Sequence, residues 1–239
     1  MSLLSTEKYQ SDIESAVKYF WATRKTQKNS KNKKSDQGNR GAVTGGKQLD
    51  GFVKLFAQIS KDQGIPETCI YTKGNDLPGY FRPTKDWDFI IISPKKELIA
   101  AIEFKSQVGS FGNNFNNRTE EALGNAVDLW TAFREKSFSQ VQPPWVGYVM
   151  LAEKSYQSEK PVRVKEPHFK VRKEFINTSY LDRYVLLCEK LMLEKHYSHA
   201  ALIWTDHNEN FGDVDSSISL DSLLMSFMGY LQSKLKLFS

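Results

Sequence analysis

Cysteine is scarce in this 239-residue chain: Cys69 and Cys188 lie far apart and in no CxxC pair. That excludes a disulfide scaffold and a cysteine-built zinc site, and it fits a reducing compartment. No apolar stretch nears the roughly 18 residues that a membrane span needs; the longest, around Trp145 to Ala152, suits a buried strand. Met1 to Lys8 holds no basic segment leading into an apolar one, so no secretion signal and no membrane partner is expected, and the cytoplasm is the expected location. Histidine is equally sparse. His196 and His199 are three apart with no third ligand placed by the sequence, and His168 and His207 stand alone, which reads as structural or exposed histidines. No repeat is visible.

What is present is a globular balance, 40% hydrophobic and 26% charged, in a chain long enough to bury a sizeable core. The formal charge of +5 is concentrated: between Arg24 and Arg40 there are seven basic residues against one acid, Asp36. This Lys/Asn/Gln/Ser-rich stretch, 24–40, lacks apolar periodicity and reads as a mobile loop. It is either a solvated linker or an arm that contacts phosphates by displacing their counterions. A milder basic patch runs from Lys160 to Lys173.

Periodicity gives the elements. Ile13, Val17, Phe20 and Trp21 form a helical stripe, and Leu49, Phe52, Val53, Phe56 and Ile59 mark a second helix ending near Gly64-Ile65-Pro66. The period then changes: Trp87 to Ile92 and Leu98 to Phe104 are Ile-rich runs separated by Ser93-Pro94-Lys95-Lys96, the pattern of a hairpin. Asn117-Arg118-Thr119-Glu120 resembles a capping box, predicting a helix from there with Leu123, Val127, Trp130 and Phe133 inward. Trp145–Ala152 and Ala200–Trp204 read as strands, Leu181–Glu194 and Leu220–Leu237 as helices. The sum is one mixed α/β domain around a central sheet.

Chemistry concentrates on the hairpin. Side chains alternate along a strand, so Glu103 and Lys105 share one face while Phe104 enters the core on the other. The turn folds Asp88 back to within a rung or two of Glu103. Two carboxylates and an ammonium thus converge at the same end of a rigid sheet, offering hard oxygen ligands for Mg²⁺ and a charge that can orient a water. The alternative is a salt-bridged sheet end, because Glu-x-Lys by itself is a common triplet. Gly41-Ala-Val-Thr-Gly-Gly46-Lys47 nearly spells a phosphate-binding loop, but Gln48 follows where a Ser or Thr should stand and no buried strand precedes it, so a nucleotide triphosphatase is rejected. Its glycines and helix start remain able to present amides to a DNA phosphate. Gly109 to Arg118, with Asn113, Asn114, Asn116 and Asn117, is either an Asx-rich turn capping a helix or a direct contact to bases and phosphates.

Four blocks carry a resemblance: Asn39-Arg-Gly-Ala-Val-Thr-Gly-Gly-Lys-Gln-Leu-Asp-Gly-Phe52, Leu77-Pro-Gly-Tyr-Phe-Arg-Pro-Thr-Lys-Asp-Trp-Asp88, Ala101-Ile-Glu-Phe-Lys105 and Asn113-Asn-Phe-Asn-Asn-Arg-Thr-Glu-Glu-Ala122. Together they resemble the XhoI family of type II restriction endonucleases. The resemblance implies a PD-(D/E)xK core, a central mixed sheet flanked by helices with an N-terminal helical region. It further implies a single endonuclease domain over 1–239, helical over 1–66 and catalytic over 67–239. It implies a homodimer, Mg²⁺ dependence, double-strand cleavage of DNA at CTCGAG, and a matching methyltransferase that protects host DNA without direct contact. The superfamily's proline-aspartate pair is Trp87-Asp88 here, so only the aspartate matches, and the proline is not a ligand. By position, Asp88 and Glu103, with the carbonyl of Phe104, become metal ligands and Lys105 the residue that orients water. Asn39, Arg40, Lys47, Gln48, Arg82, Lys85, Asn113, Asn114, Asn116, Asn117 and Arg118 are candidate DNA contacts, and Asp50 a candidate extra carboxylate. A repair or junction-resolving nuclease of the same fold, and a non-catalytic DNA-binding protein, are the rival readings.

Overall fold

The computed structural model describes residues 5–33 and 47–238, with side chains described outside 28–33. In chain order it runs α1 (Gln10–Lys33), α2 (Asp50–Asp62), β1 (Ile70–Tyr71), β2 (Asp76–Pro78), β3 (Thr84–Asp86), β4 (Phe89–Ile92), β5 (Leu98–Gln107), α3 (Phe111–Arg134), β6 (Trp145–Glu153), α4 (Tyr156–Glu159), α5 (Tyr180–Leu193), β7 (His199–Thr205), β8 (Phe211–Asp213) and α6 (Leu220–Lys234). Six strands form a sheet in the order β1-β4-β5-β6-β7-β8, and β2 pairs with β3 as a separate small hairpin. β4 and β5 are antiparallel, β5, β6 and β7 are parallel, and β7 and β8 are antiparallel. The parallel crossovers carry α3 and α5, as parallel strands require a long connection.

The sheet is buried on both faces, which explains why its central strands read as continuous apolar runs. On one face α1, α2 and α6 pack against Phe89, Ile91, Ile102, Phe104 and Val149; on the other, α3 and α5 cover Ile90, Ala101, Val146, Tyr148 and Met150. Phe56 of α2 sits 5.3 Å from Phe104 and 5.3 Å from Phe227, and 6.3 Å from Phe89. Edge-on and tilted aromatic packing of this kind locks the helical face onto the hairpin. Among the described residues, no helix is long and apolar enough to cross a membrane.

Three expectations are corrected. The segment from Arg24 to Lys33, expected as mobile loop, continues α1, in keeping with the fair helix propensity of Lys, Arg and Gln; residues 34–40 lie outside the described residues. The third helix starts at Phe111, so Asn117-Arg118-Thr119-Glu120 lies inside it and is no capping box. Its first turns are Asn- and Gly-rich, yet Phe111 and Phe115 stack on Tyr180 and Tyr184 of α5, and that packing overrides weak propensity. The buried face of the helix is also turned: Leu123 and Val127 are 37% and 40% exposed, and Ala122, Asn125, Ala126, Asp128, Leu129 and Ala132 face inward.

Candidate active site

The β4–β5 ladder pairs Phe89 with Ile102 and Ile90 with Ala101, which brings Asp88 to Glu103. The amide of Phe104 donates to Asp88 Oδ2 at 2.7 Å, so the aspartate is fixed by the neighbouring strand's main chain. Asn75 supports it from behind, its side-chain amide donating to the Asp88 carbonyl at 3.2 Å. Phe104 itself is buried on the α2 face, and Glu103 and Lys105 take the opposite one, beneath α3. Glu103 is 1% exposed and lies in mid-strand, because β5 continues to Gln107.

Glu103 is surrounded by donors. Lys105 Nζ hydrogen-bonds its Oε1, Asn125 Nδ2 donates to the same oxygen at 3.2 Å, and Lys85 Nζ stands 2.8 Å from Oε2. The Lys85 approach is an ion pair outside hydrogen-bond alignment, so buried Oε2 retains a lone pair with no donor aimed at it. Asp88 is electrostatically the opposite. Burial, then the nearby Glu103 charge, push its carboxyl up to about 6 despite Lys105 and Lys85. Burial pulls Lys105 down, but Glu103 and Asp88 outweigh it and hold the ammonium above its ordinary value, so it keeps its proton at neutral pH.

A groove of about 700 Å³ opens beside Asp88, lined also by Trp87, Asn75, Asp50, Lys54 and Lys73 among others; Glu103 and Lys105 do not line it. Among the described residues no three His, Cys, Asp or Glu side chains converge on one point, so a cation here would draw on two carboxylates and complete its shell from main chain, water or a ligand's phosphate. The site fits such an ion: two crowded acids, one resisting ionisation, are what a divalent cation relieves, and Lys85 and Lys105 already mark where positive charge sits on Glu103.

Residues 28–216 match the family model described as Restriction endonuclease XhoI. The chain belongs to the XhoI restriction endonuclease family. It is 52% identical over 177 residues to the type II restriction enzyme BstVI of Geobacillus stearothermophilus, covering 72% of this chain and 79% of that one. It is 44% identical over 182 residues to the type II restriction enzyme XhoI of Xanthomonas vasicola (74% and 73% covered). It is also 46% identical over 167 residues to the type II restriction enzyme AbrI of Azospirillum brasilense (68% and 74%). No solved structure matches. The family makes this a site-specific deoxyribonuclease, an enzyme that acts on double-stranded DNA, and sets aside the non-catalytic and repair-nuclease readings.

Within that family frame, the structure brings together Asp88, Glu103, Lys105 and Lys85. Lys85, expected as a DNA contact, is spent on Glu103 and lies 5.0 Å over the Trp87 ring. Arg82 donates to Asp128 Oδ2 at 2.8 Å and to Asn125 Oδ1 at 2.7 Å. Gln48 is buried and donates to Ser106 at 3.1 Å, whereas Lys47 is exposed. Asn113, Asn116 and Asn117 are exposed on α3; Asn114 is half-buried, and Arg118 pairs with Glu121 at 2.5 Å. Asp50 lines the groove, its carboxyl raised by burial against the pull of Lys54, Lys47 and Lys73. Asn39 and Arg40 lie outside the described residues. Sequence reasoning missed Asn125 and Asp128. They are two polar residues three apart among the buried positions Phe111, Ala122, Ala126, Leu129 and Ala132, and no local pattern marks them.

Proposed function

We propose that the protein cuts double-stranded DNA at CTCGAG, as the family resemblance implies, with Mg²⁺ held by Asp88, Glu103 and the carbonyl of Phe104. A bound divalent cation supplies Lewis acidity at the phosphoryl oxygen and offsets the negative charge gathered around the scissile bond. Asp88 and Glu103 bind and orient; the amide of Phe104 fixes the angle of the first, and Asn125 that of the second. Lys105, which keeps its proton, orients the attacking water and balances charge, so the proton lost by that water goes to solvent or to a phosphate oxygen. A homodimer would match the two-fold symmetry of the palindrome, each protomer cutting one strand, and a methyltransferase would mark the same sequence in the host.

The observation that carries the metal site is the meeting of Asp88 with buried Glu103 across the β4–β5 ladder, Asp88 Oδ2 held by the amide of Phe104. Acids are seldom crowded in this way without a functional reason. The test is digestion of phage DNA with Mg²⁺ followed by sequencing of the ends. Discrete fragments ending within CTCGAG, and none with Glu103→Gln or with chelator, are expected. Ends within another palindrome overturn the site, and cutting that survives chelation overturns the metal.

A further inference from the structure

The small β2–β3 hairpin ends in a turn, residues 79–82, built with unusual economy. Asp128 of α3 accepts from the amides of Tyr80 and Phe81 at 2.8 Å each, and its other oxygen accepts from Arg82 Nε at 2.8 Å. These donors hold the Asp128 carboxyl below its usual range even though burial pushes it up. Only glycine fits at position 79, since a Cβ there would lie 2.5 Å from Asp128 Oδ2 and 2.5 Å from the Arg82 carbonyl. The turn is therefore rigid, yet what it displays is apolar: Tyr80 is 53% exposed and Phe81 70%, their rings 5.0 Å apart and nearly perpendicular. Two large aromatic rings held in water by a buried carboxylate are costly unless something covers them.

The turn is tied twice to the catalytic carboxylate. Lys85, on β3, pairs with Glu103 at 2.8 Å, and Arg82 reaches it through Asn125, which accepts from the arginine and donates to Glu103. The exposed rings thus stand on a turn that is bonded into the same polar network as that carboxylate. Resting on the reading of that substrate as double-stranded DNA, we propose that Tyr80 and Phe81 form a stacking wedge that enters the duplex, unstacks a base step and sets the scissile phosphate over Asp88 and Glu103. Apolar side chains inserted between base pairs unstack them and kink the helix, and stacking on an aromatic ring tolerates any base. Arg82 and Lys85 are already paired with Asp128 and Glu103, so stacking on the rings and not added charge is what the turn offers a duplex.

The test places 2-aminopurine at successive positions of the duplex whose sequence the end-mapping returns, with Ca²⁺ in place of Mg²⁺ to slow cutting. The wild-type protein should raise the fluorescence of one step several-fold, the sign of an unstacked base. Phe81→Ala and Tyr80→Ala should each lose that rise and weaken DNA binding roughly tenfold, while Phe81→Trp restores it. Wild-type complexes in which every probe stays quenched overturn the wedge, as do alanine variants with an unchanged signal and affinity. A Phe81→Ala protein that falls from dimer to monomer in sedimentation also overturns it, because the pair would then belong to a protein interface. A wild-type protein that cuts no duplex at all sinks the nuclease reading instead, which separates the two failures.

Discussion

Two hairpins meet at the active site and are held by opposite means. The β4–β5 hairpin is gripped by hydrophobic burial of its strands, Ile91 and Ile102 on one face and Ile90 and Ala101 on the other, and is exposed only at its turn, Pro94 to Lys96. The β2–β3 hairpin has three paired positions and one fully buried anchor, Leu77, and is held otherwise by polar ties to Asp128, Asn125 and Glu103. Burial is non-directional and strong, and it fixes the carboxylates where they are. Hydrogen bonds and ion pairs are directional and individually modest, so they fix angles but leave the second hairpin the more easily disturbed. The same split separates the acids. Glu103 has two ammonium groups and an amide about it, whereas Asp88 has one main-chain donor and a raised pKa.

The comparison can be broken most severely at the deep hairpin. Glu103→Gln keeps the shape but removes a ligand charge, and cleavage measured by plasmid nicking should fall roughly a thousandfold or more. Asn125→Ala, which cuts the bridge from Arg82 to Glu103, should weaken cation binding about 10- to 100-fold, read by Mn²⁺ titration, with the fold intact by circular dichroism. Titration sharpens the contrast between the acids. Because the fold raises the Asp88 carboxyl from its ordinary 3.8 to about 6, metal-free stability is fullest below the ordinary value and is lost as pH rises through about 6. Urea melts of metal-free protein at pH 5 and pH 7 should differ more for wild type than for Asp88→Asn, by on the order of 1 kcal/mol. Cleavage should show the opposite slope, declining up to tenfold per unit below about pH 6 as protons compete with the cation. The smallest effect belongs to the shallow hairpin: Phe81→Ala should move stability by no more than about 0.5 kcal/mol, because the ring contributes no burial to the core.

The deep hairpin was legible in the sequence because its Ile-rich strands, its Ser93-Pro94 turn and its Glu103-Phe104-Lys105 alternation all follow local rules. The small hairpin was not, since Asp76–Pro78 and Thr84–Asp86 carry neither apolar alternation nor β-branched enrichment and are defined by distant partners on α3. The face of α3 was misread for a related reason. Leu123 and Val127 are more hydrophobic than the alanines beside them, so a hydrophobicity count turns the helix outward-side in; the observed rotation places Asn125 and Asp128 inward, where they meet Tyr80, Phe81 and Arg82, more than forty residues upstream. Polar residues at a core-facing position carry no periodic signal of their own, and only the tertiary structure says what they hold. Asp88, Glu103 and Lys105 could be grouped from the hairpin and its alternation, whereas the pairing of Lys85 with Glu103 could not be read, because nothing local distinguishes a surface lysine from one folded onto a carboxylate.

The six-stranded sheet terminates in β1, two residues long, and β8, three residues long. An incoming chain would find only a few rungs of backbone to zip onto, too little to template fibrous growth or to splice two copies into one continuous ladder. Among the described residues, contact between copies would therefore fall to side chains on helices and loops and not to the pairing of strands.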